Sequence, residues 1–436
     1  MPDVSYARSG GVAVAYQVVG DGPVDVVYAP HLTNLYSLWL GGYTGPFLRR
    51  LAEDVRVIVF NPRGTGLSDR PRNVTLESRM DDVNAVLDAV GIERTTLFGA
   101  AESANVCALY AATFPDRCER LALFGPYARS VRTETYPFGG SEEEWLTWVR
   151  EMREGWGDRA FLTEFARAID PVIAEDEETL DWFIWMHRLS ASPTAAADFA
   201  RMAMETDITD VLGSIRVPTL VLHREAQRGE ARYIAERIPG AEVIEMRGAG
   251  GHGPYTDDVV DALVAFVHGT TPTSVPDSVL ATVLFTDLVG STQRAAGLGD
   301  SGWRSLLEEH QRLVRRELSR HRGIEIDTAG DGFFCRFDGP ARAIACARAV
   351  VEDARALDLE VRAGVHTGEC EVAGEKIAGI AVHVGARVAA SAGPGEVLVS
   401  GTVKDLVAGS GFTFDDRGEH ELKGVPGSWR LFSVVA

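Results

Sequence analysis

Thr95-Thr96-Leu97-Phe98-Gly99-Ala100-Ala101-Glu102-Ser103 runs from a short β-rich apolar stretch, Thr95–Phe98, through a tight turn towards a segment of helical period, Asn105–Phe114. Similar apolar runs lie at Val12–Val18, Val24–Tyr28, Val55–Phe60, Leu121–Phe124, Thr219–Leu222 and Glu242–Met246. Helix-period segments such as Leu76–Val90 separate most of them. Strands alternating with helices predict an α/β unit with a mainly parallel sheet covered on both faces. Between about 140 and 210 the pattern turns helical and rich in Trp, Phe and Met, which predicts an inserted helical cap over about 135–212.

Residues 268–279, His-Gly-Thr-Thr-Pro-Thr-Ser-Val-Pro-Asp-Ser-Val, read as a linker because Pro, Ser and Thr interrupt both flanking patterns. The expected division is a first domain over 1–268, a linker over 269–279 and a second domain over 280–436. Beyond the linker, Val279–Phe285 is a buried-strand run. A helix from about 291 to 321, a hairpin around 330, a helix near 340–354 and strands at 361–366 and 396–400 predict an α+β domain.

The composition narrows the function. With 436 residues, 45% hydrophobic and 24% charged, the chain is long enough for two or three cores and too apolar for global disorder. A formal charge of −20 argues against a nucleic-acid or anionic-membrane partner, since phosphate surfaces select basic proteins. Five scattered cysteines without a C-x-x-C pair suit buried thiols in a reducing compartment better than disulfides or a zinc site. The opening Met-Pro-Asp-Val-Ser-Tyr-Ala-Arg has no apolar h-region, and no apolar run approaches the roughly 20 residues that span a bilayer. The expectation is a soluble, cytoplasmic protein. Lysine is confined to Lys376, Lys404 and Lys423 among 43 basic residues.

Two stretches of the second domain carry chemistry. Phe285-Thr286-Asp287-Leu288-Val289-Gly290-Ser291-Thr292 places a carboxylate at the end of a buried strand, before a turn that opens a helix. The N–H groups of Gly290, Ser291 and Thr292 suit phosphate oxygens there, and the adjacent carboxylate suits Mg²⁺. Thr328-Ala329-Gly330-Asp331-Gly332-Phe333 reads as a tight hairpin presenting a second carboxylate. Two carboxylates on neighbouring strand ends can hold a metal pair that activates an attacking oxygen and steadies a leaving phosphate. Taken singly, Asp287 reads as a helix cap and Asp331 as a turn residue.

Asn61-Pro62-Arg63-Gly64-Thr65-Gly66-Leu67-Ser68-Asp69-Arg70, with the strand–turn–helix at 95–114, resembles the α/β-hydrolase family over about residues 5–268. That resemblance implies a nucleophile in a G-x-S-x-G elbow, followed along the chain by an acid and a histidine. The elbow position is Ala101, which has no oxygen. The acid position, within His223-Arg224-Glu225-Ala226-Gln227-Arg228, is Gln227, which carries no charge to steady an imidazolium. His252, in Gly250-Gly251-His252-Gly253, alone matches. Ser103 sits two residues past the elbow and Glu225 has no nucleophile to serve. The expectation is a silent hydrolase shape whose pocket binds a small molecule without turning it over.

The second domain resembles the class III nucleotide cyclases over about 279–436. F-T-D-L-V-G-S-T at 285–292, T-A-G-D-G-F at 328–333, V-R-A-G-V-H-T-G at 361–368, G-A-R-V-A-A at 385–390 and L-K-G-V-P-G at 422–427 carry the likeness in order. It implies a ferredoxin-like α+β fold, with Asp287 and Asp331 as ligands of two Mg²⁺ or Mn²⁺ ions. It makes Arg387 the arginine that stabilises charge on the α-phosphate, with Arg362 and Lys423 on the polyphosphate. It also implies a head-to-tail homodimer with two equivalent sites. Three positions depart from the family: Asp327 stands at the purine-selecting lysine, Lys376 near its partner, with Glu375 or Ile377 as alternatives, and His383 at the transition-state asparagine. The Asp327/Lys376 pair keeps one donor and one acceptor with their places exchanged, so adenine recognition is expected. The leading expectation is an adenylate cyclase converting ATP to cyclic AMP and pyrophosphate under control of the hydrolase-like domain. The competing readings are a degenerate nucleotide-binding regulator and an esterase with an accessory nucleotide domain.

Overall fold

The computed structural model describes residues 1–30, 32–246, 253–269, 278–373 and 376–435. His252 and Glu375 lie outside them, as does most of the expected linker. The chain divides into two compact units, Met1–Pro276 and Asp277–Ala436.

The first unit is built on eight strands: β1 Ser5–Ser9, β2 Val12–Val19, β3 Asp25–Ala29, β4 Arg56–Phe60, β5 Thr95–Ala100, β6 Cys118–Phe124, β7 Thr219–His223 and β8 Glu242–Glu245. Their order is β1-β2-β4-β3-β5-β6-β7-β8. The β1–β2 and β2–β4 pairs are antiparallel and the remaining pairs parallel. The central strands are buried over nearly their whole length, which is why they read as unbroken apolar runs. Helices α1 Thr44–Leu51, α2 Leu76–Val90 and α3 Ser103–Thr113 connect β3 to β4, β4 to β5 and β5 to β6. Helix α2 starts where the Thr75 hydroxyl accepts from Ser78 N–H while the Ser78 hydroxyl reaches back to Thr75 N–H, and stops at Gly91, with φ 77°.

The cap consists of α4 Glu142–Gly155, α5 Arg159–Ile169, α6 Pro171–Glu175, α7 Glu177–Ser190 and α8 Pro193–Glu205, inserted between β6 and β7. Ser141, Asp158, Asp170, Asp176 and Ser192 each cap the helix that follows, so five short helices are punctuated by side-chain acceptors. The Trp, Phe and Met residues that marked the segment form its own apolar core around Met152, Trp156, Leu162 and Phe183. Helices α9 Arg228–Ala235 and α10 Asp257–Val267 complete the unit.

The second unit begins with β9 Ser278–Leu288, α11 Ser291–Arg320, β10 Ile324–Ala329, β11 Gly332–Phe337, α12 Pro340–Ala354 and β12 Val361–Ala373. This βαββαβ run forms a sheet of order β10-β11-β9-β12 with antiparallel neighbours, the ferredoxin-like arrangement. Gly299, at φ 69°, breaks α11 into two helical stretches. The sheet continues through β13 Lys376–Ala378, α13 Ile380–Ser391, β14 Val397–Ser400, α14 Gly401–Leu406, β15 Thr413–Glu421 and β16 Ser428–Val435. β14, β16 and β15 extend it beyond β12, and β13 pairs with β12. Gly364 explains how α13 lies flat on this sheet. A Cβ there would stand 2.1 Å from the backbone nitrogen of Ala389.

Candidate functional sites

In the first unit the turn after β5 keeps the elbow conformation without its oxygen. Ala101 has φ 52°, a left-handed backbone that costs an alanine roughly 1 kcal/mol, and its N–H donates to the Phe124 carbonyl at 3.0 Å. Gly99 lets α3 approach β5, since a Cβ there would lie 2.8 Å from Cys107 Sγ. The Ser103 hydroxyl accepts from Ala100 N–H at 2.9 Å and donates to the Ala100 carbonyl at 2.8 Å. It is buried and serves the turn rather than the cavity. Gln227 is buried, its Oε1 accepts from Arg224 N–H at 3.2 Å, and its Nε2 has no hydrogen-bond partner among the described residues.

Above Ala101 the cap roofs a cavity of about 550 Å³, floored by Ala100, Ala101 and Glu102 and walled by Trp145, Trp148 and Phe165 among others. Glu102 was not singled out by the sequence reading. The available signal was a lone ionisable side chain directly after the elbow position. Burial pushes its carboxyl up to about 8, against the pull of the Arg79 guanidinium and a hydrogen bond from its own backbone N–H. Arg79 is itself buried, stacked over Phe199 with 5.4 Å between guanidinium carbon and ring centre.

In the second unit Asp287 and Asp331 lie at the same end of adjacent strands. Thr286 of β9 pairs with Phe333 of β11, so Asp287 is one step past that pair and Asp331 two steps before it, in the turn. Strand register sets Arg362 of β12 directly opposite Asp287. Its Nε and Nη2 both donate to Asp287 Oδ2, at 3.0 and 2.5 Å, and Nη1 reaches the Ala390 carbonyl at 3.5 Å. Asp331 Oδ2 is buried without a hydrogen-bond partner. A buried carboxylate oxygen left unsatisfied is costly, and a cation would relieve it, so the residues present fit a divalent metal. Among the described residues no group of three or more His, Cys, Asp or Glu side chains forms a metal cluster; a Mg²⁺ site of two carboxylates takes its remaining oxygens from water and phosphate.

The hairpin that carries Asp331 is braced from α11. Gln311 Nε2 donates to the Gly330 carbonyl at 3.3 Å, and His310 is fully buried with its ring edge-on to Phe333 at 6.1 Å. Neither residue stood out in the sequence, because their roles depend on a hairpin that follows them. Gly290, at φ 70°, opens α11 with no side-chain cap, which leaves the first N–H groups of that helix without an intrahelical partner.

His383 and Arg387 lie one turn apart on the exposed face of α13. Arg387 Nε donates to the Lys423 carbonyl at 2.9 Å, tying α13 to the β15–β16 turn. Lys423 itself is exposed. No hydrogen bond or ion pair among the described residues joins His383 or Arg387 to either aspartate. Asp327 is exposed on the edge strand β10, its Oδ1 accepting from Thr328 N–H at 2.9 Å. Lys376 lies in β13, and strands β11, β9 and β12 separate the two in the sheet order. The five cysteines are free and buried, and no described helix is long and apolar enough to cross a membrane.

The two units belong to two fold classes. Residues 277–435 match the family model of the adenylate and guanylate cyclase catalytic domain, and residues 34–169 match that of the alpha/beta hydrolase fold. The chain therefore joins an α/β-hydrolase-fold unit to a class III cyclase catalytic domain. The first unit is similar to the "Putative carbamate hydrolase RutD" of Caulobacter sp. (strain K31), 25% identical over 276 residues, covering 56% of this chain and 91% of that protein. It also shares its fold with the enol-lactonase from Burkholderia xenovorans LB400, at a TM-score of 0.51 and 23% identity, covering 60% of this chain and 99% of that one. The second unit is similar to the "Putative adenylate cyclase 3" of Rhizobium meliloti (strain 1021), 28% identical over 155 residues, which are 34% of this chain. This match spans only 26% of that relative's length.

Proposed function

We propose that the chain is a cytoplasmic adenylate cyclase, converting ATP to 3′,5′-cyclic AMP and pyrophosphate in the domain over 280–436, under control of a catalytically silent, ligand-binding hydrolase-fold domain over 1–268. The observation that carries the reading is the pair Asp287 and Asp331 at one sheet end, with a buried, unsatisfied oxygen on Asp331. Asp287 and Asp331 would hold two Mg²⁺ or Mn²⁺ ions, whose chemistry is to activate an attacking hydroxyl and neutralise phosphate charge. Arg362 pairs with Asp287 and would turn to the polyphosphate once that carboxylate takes another cation. The free N–H groups at Gly290, Ser291 and Thr292 offer donors to phosphate oxygens.

Arg387 and His383 supply charge and hydrogen bonding at the α-phosphate, and the Lys423 carbonyl holds the Arg387 guanidinium in place. No hydrogen bond or ion pair among the described residues joins Arg387 or His383 to the aspartates, which leaves Arg387 available to a homodimer in which each site takes Asp287 and Asp331 from one protomer and Arg387 from the other. Asp327 and Lys376 are assigned to the base, Asp accepting from an amino group and Lys donating to a ring nitrogen. Silence of the first unit rests on Ala101 and Gln227, which remove the nucleophile and the acid. The test is cyclic nucleotide formation from ATP and GTP side by side, with Mg²⁺ and with Mn²⁺. Faster turnover of GTP would overturn the adenine assignment, and p-nitrophenyl ester hydrolysis lost in His252→Ala would overturn the silence of the first domain.

A further inference from the structure

The cavity over Ala101 has a composition that selects among ligands. Its walls present the rings of Trp145, Trp148, Phe165, Phe183, Phe199 and Tyr255. Three carboxyl side chains, Glu102 on the floor with Asp170 and Glu230, line the same space. Among the described lining residues the one arginine, Arg129, is taken up by Asp207 at 2.6 Å. His187 has its Nδ1 on the Phe183 carbonyl at 2.8 Å. Among the described lining residues acid therefore outweighs base along a wall that is otherwise mostly aromatic and aliphatic, in a chain whose net charge is −20.

Each ligand class meets this lining differently. An anion would face carboxyl groups, and among the described lining residues the one guanidinium, Arg129, is already paired with Asp207, so little repays its desolvation there. An organic cation would lie against ring faces, whose quadrupoles favour positive charge by about 0.5–2 kcal/mol per good contact. Such a cation would also meet the carboxyl of Glu102, the residue directly after the elbow position Ala101. The geometry points to this cavity as a binding site for an organic cation, a protonated or quaternary amine carrying an aromatic or alicyclic body. The inference rests on the reading that the first domain holds a small molecule without turning it over.

Arg79 stands behind Glu102 and favours its ionised form, while burial favours the neutral one. A cation on the cavity side tips that balance towards the carboxylate, so binding couples charge in the ligand to charge on the floor. The cavity volume of about 550 Å³ falls in the range of small-molecule sites.

The test titrates the full-length chain calorimetrically with three probes of one shape: benzyltrimethylammonium, its uncharged isostere neopentylbenzene, and benzylsulfonate. The expected result is a dissociation constant for the cation at least tenfold below that of the neutral isostere, with no binding of the anion. In Glu102→Gln, with folding checked by its melting transition, that ratio should fall to about one while the neutral probe is unchanged. If Glu102→Gln does not fold, Glu230→Gln replaces it, with a partial loss of the ratio expected. A neutral probe that binds as tightly as the cation, or an anion that binds at all, would refute the cation assignment and leave a ligand-binding domain standing. Absence of binding by all three would refute the cation assignment together with the reading beneath it.

Discussion

Glu102→Gln makes the energetics of the cavity floor measurable. In the folded chain the carboxyl's pKa is pushed from 4.5 up to about 8, chiefly by burial, while in the unfolded chain it returns to its ordinary value. The folded state thus binds the proton more tightly. The contribution of this group to stability is fully present below pH about 4.5 and is lost as pH rises towards about 8, at about 1.4 kcal/mol per pH unit. Gln keeps the shape and the burial but does not titrate. Between pH 6 and pH 8 the wild type should lose about 2–3 kcal/mol of unfolding free energy relative to Glu102→Gln. Urea unfolding followed by tryptophan fluorescence reads this, because Trp39, Trp145, Trp148, Trp156, Trp182 and Trp185 report from the first unit, against only Trp303 and Trp429 in the second. A difference between the two proteins that stays constant from pH 6 to pH 8 would refute the burial argument. One that moves in favour of the wild type with rising pH would reverse its sign.

Three further outcomes follow from the same geometry. Gly364→Ala forces a Cβ to within 2.1 Å of the Ala389 nitrogen and should destabilise the second unit by about 1–3 kcal/mol, read as a lower melting transition, while the first unit's transition stays in place. Arg362→Ala breaks a part-exposed ion pair worth under about 1 kcal/mol, so the melting temperature should hardly move while kcat for cyclic nucleotide formation falls at least tenfold; a normal kcat would remove Arg362 from the site. Ala101→Ser restores an oxygen to the elbow but leaves Gln227 at the acid position, so p-nitrophenyl acetate hydrolysis should remain at background.

Much of the architecture is legible in the sequence wherever burial is two-sided. β5, β6 and β7 are covered on both faces and read as apolar runs, the periodic pattern of α2 gives its limits at Leu76–Val90, and a helix is legible near 340–354 where α12 stands. The far end of the second sheet is not legible in that way. β15, Thr413–Glu421, is largely exposed and carries Asp415, Asp416, Arg417, Glu419 and Glu421, so its pattern is that of a loop and only pairing with β16 makes it a strand. β13 is three residues long, too short for any period to show.

The sites divide along the same line. Asp287 and Asp331 stand out locally, each in a turn motif beside an apolar strand. The ion pair from Arg362 to Asp287 joins residues 75 positions apart, and only the register of β9 against β12 creates it. The elbow at Ala101 is visible as a motif with its oxygen missing. The burial of Glu102, and the occupation of the Ser103 hydroxyl by the Ala100 backbone, depend on the cap and the turn closing around them.

The central claim is that two aspartates of the second unit drive cyclic nucleotide formation. Its most direct measurement is cyclic AMP produced from ATP with Mn²⁺ or Mg²⁺ by the full-length chain and by Asp287→Ala, with GTP in parallel. The account predicts formation of cyclic AMP faster than cyclic GMP, with a loss of at least a hundredfold in Asp287→Ala. No product from the wild type, or equal product from both proteins, would contradict it.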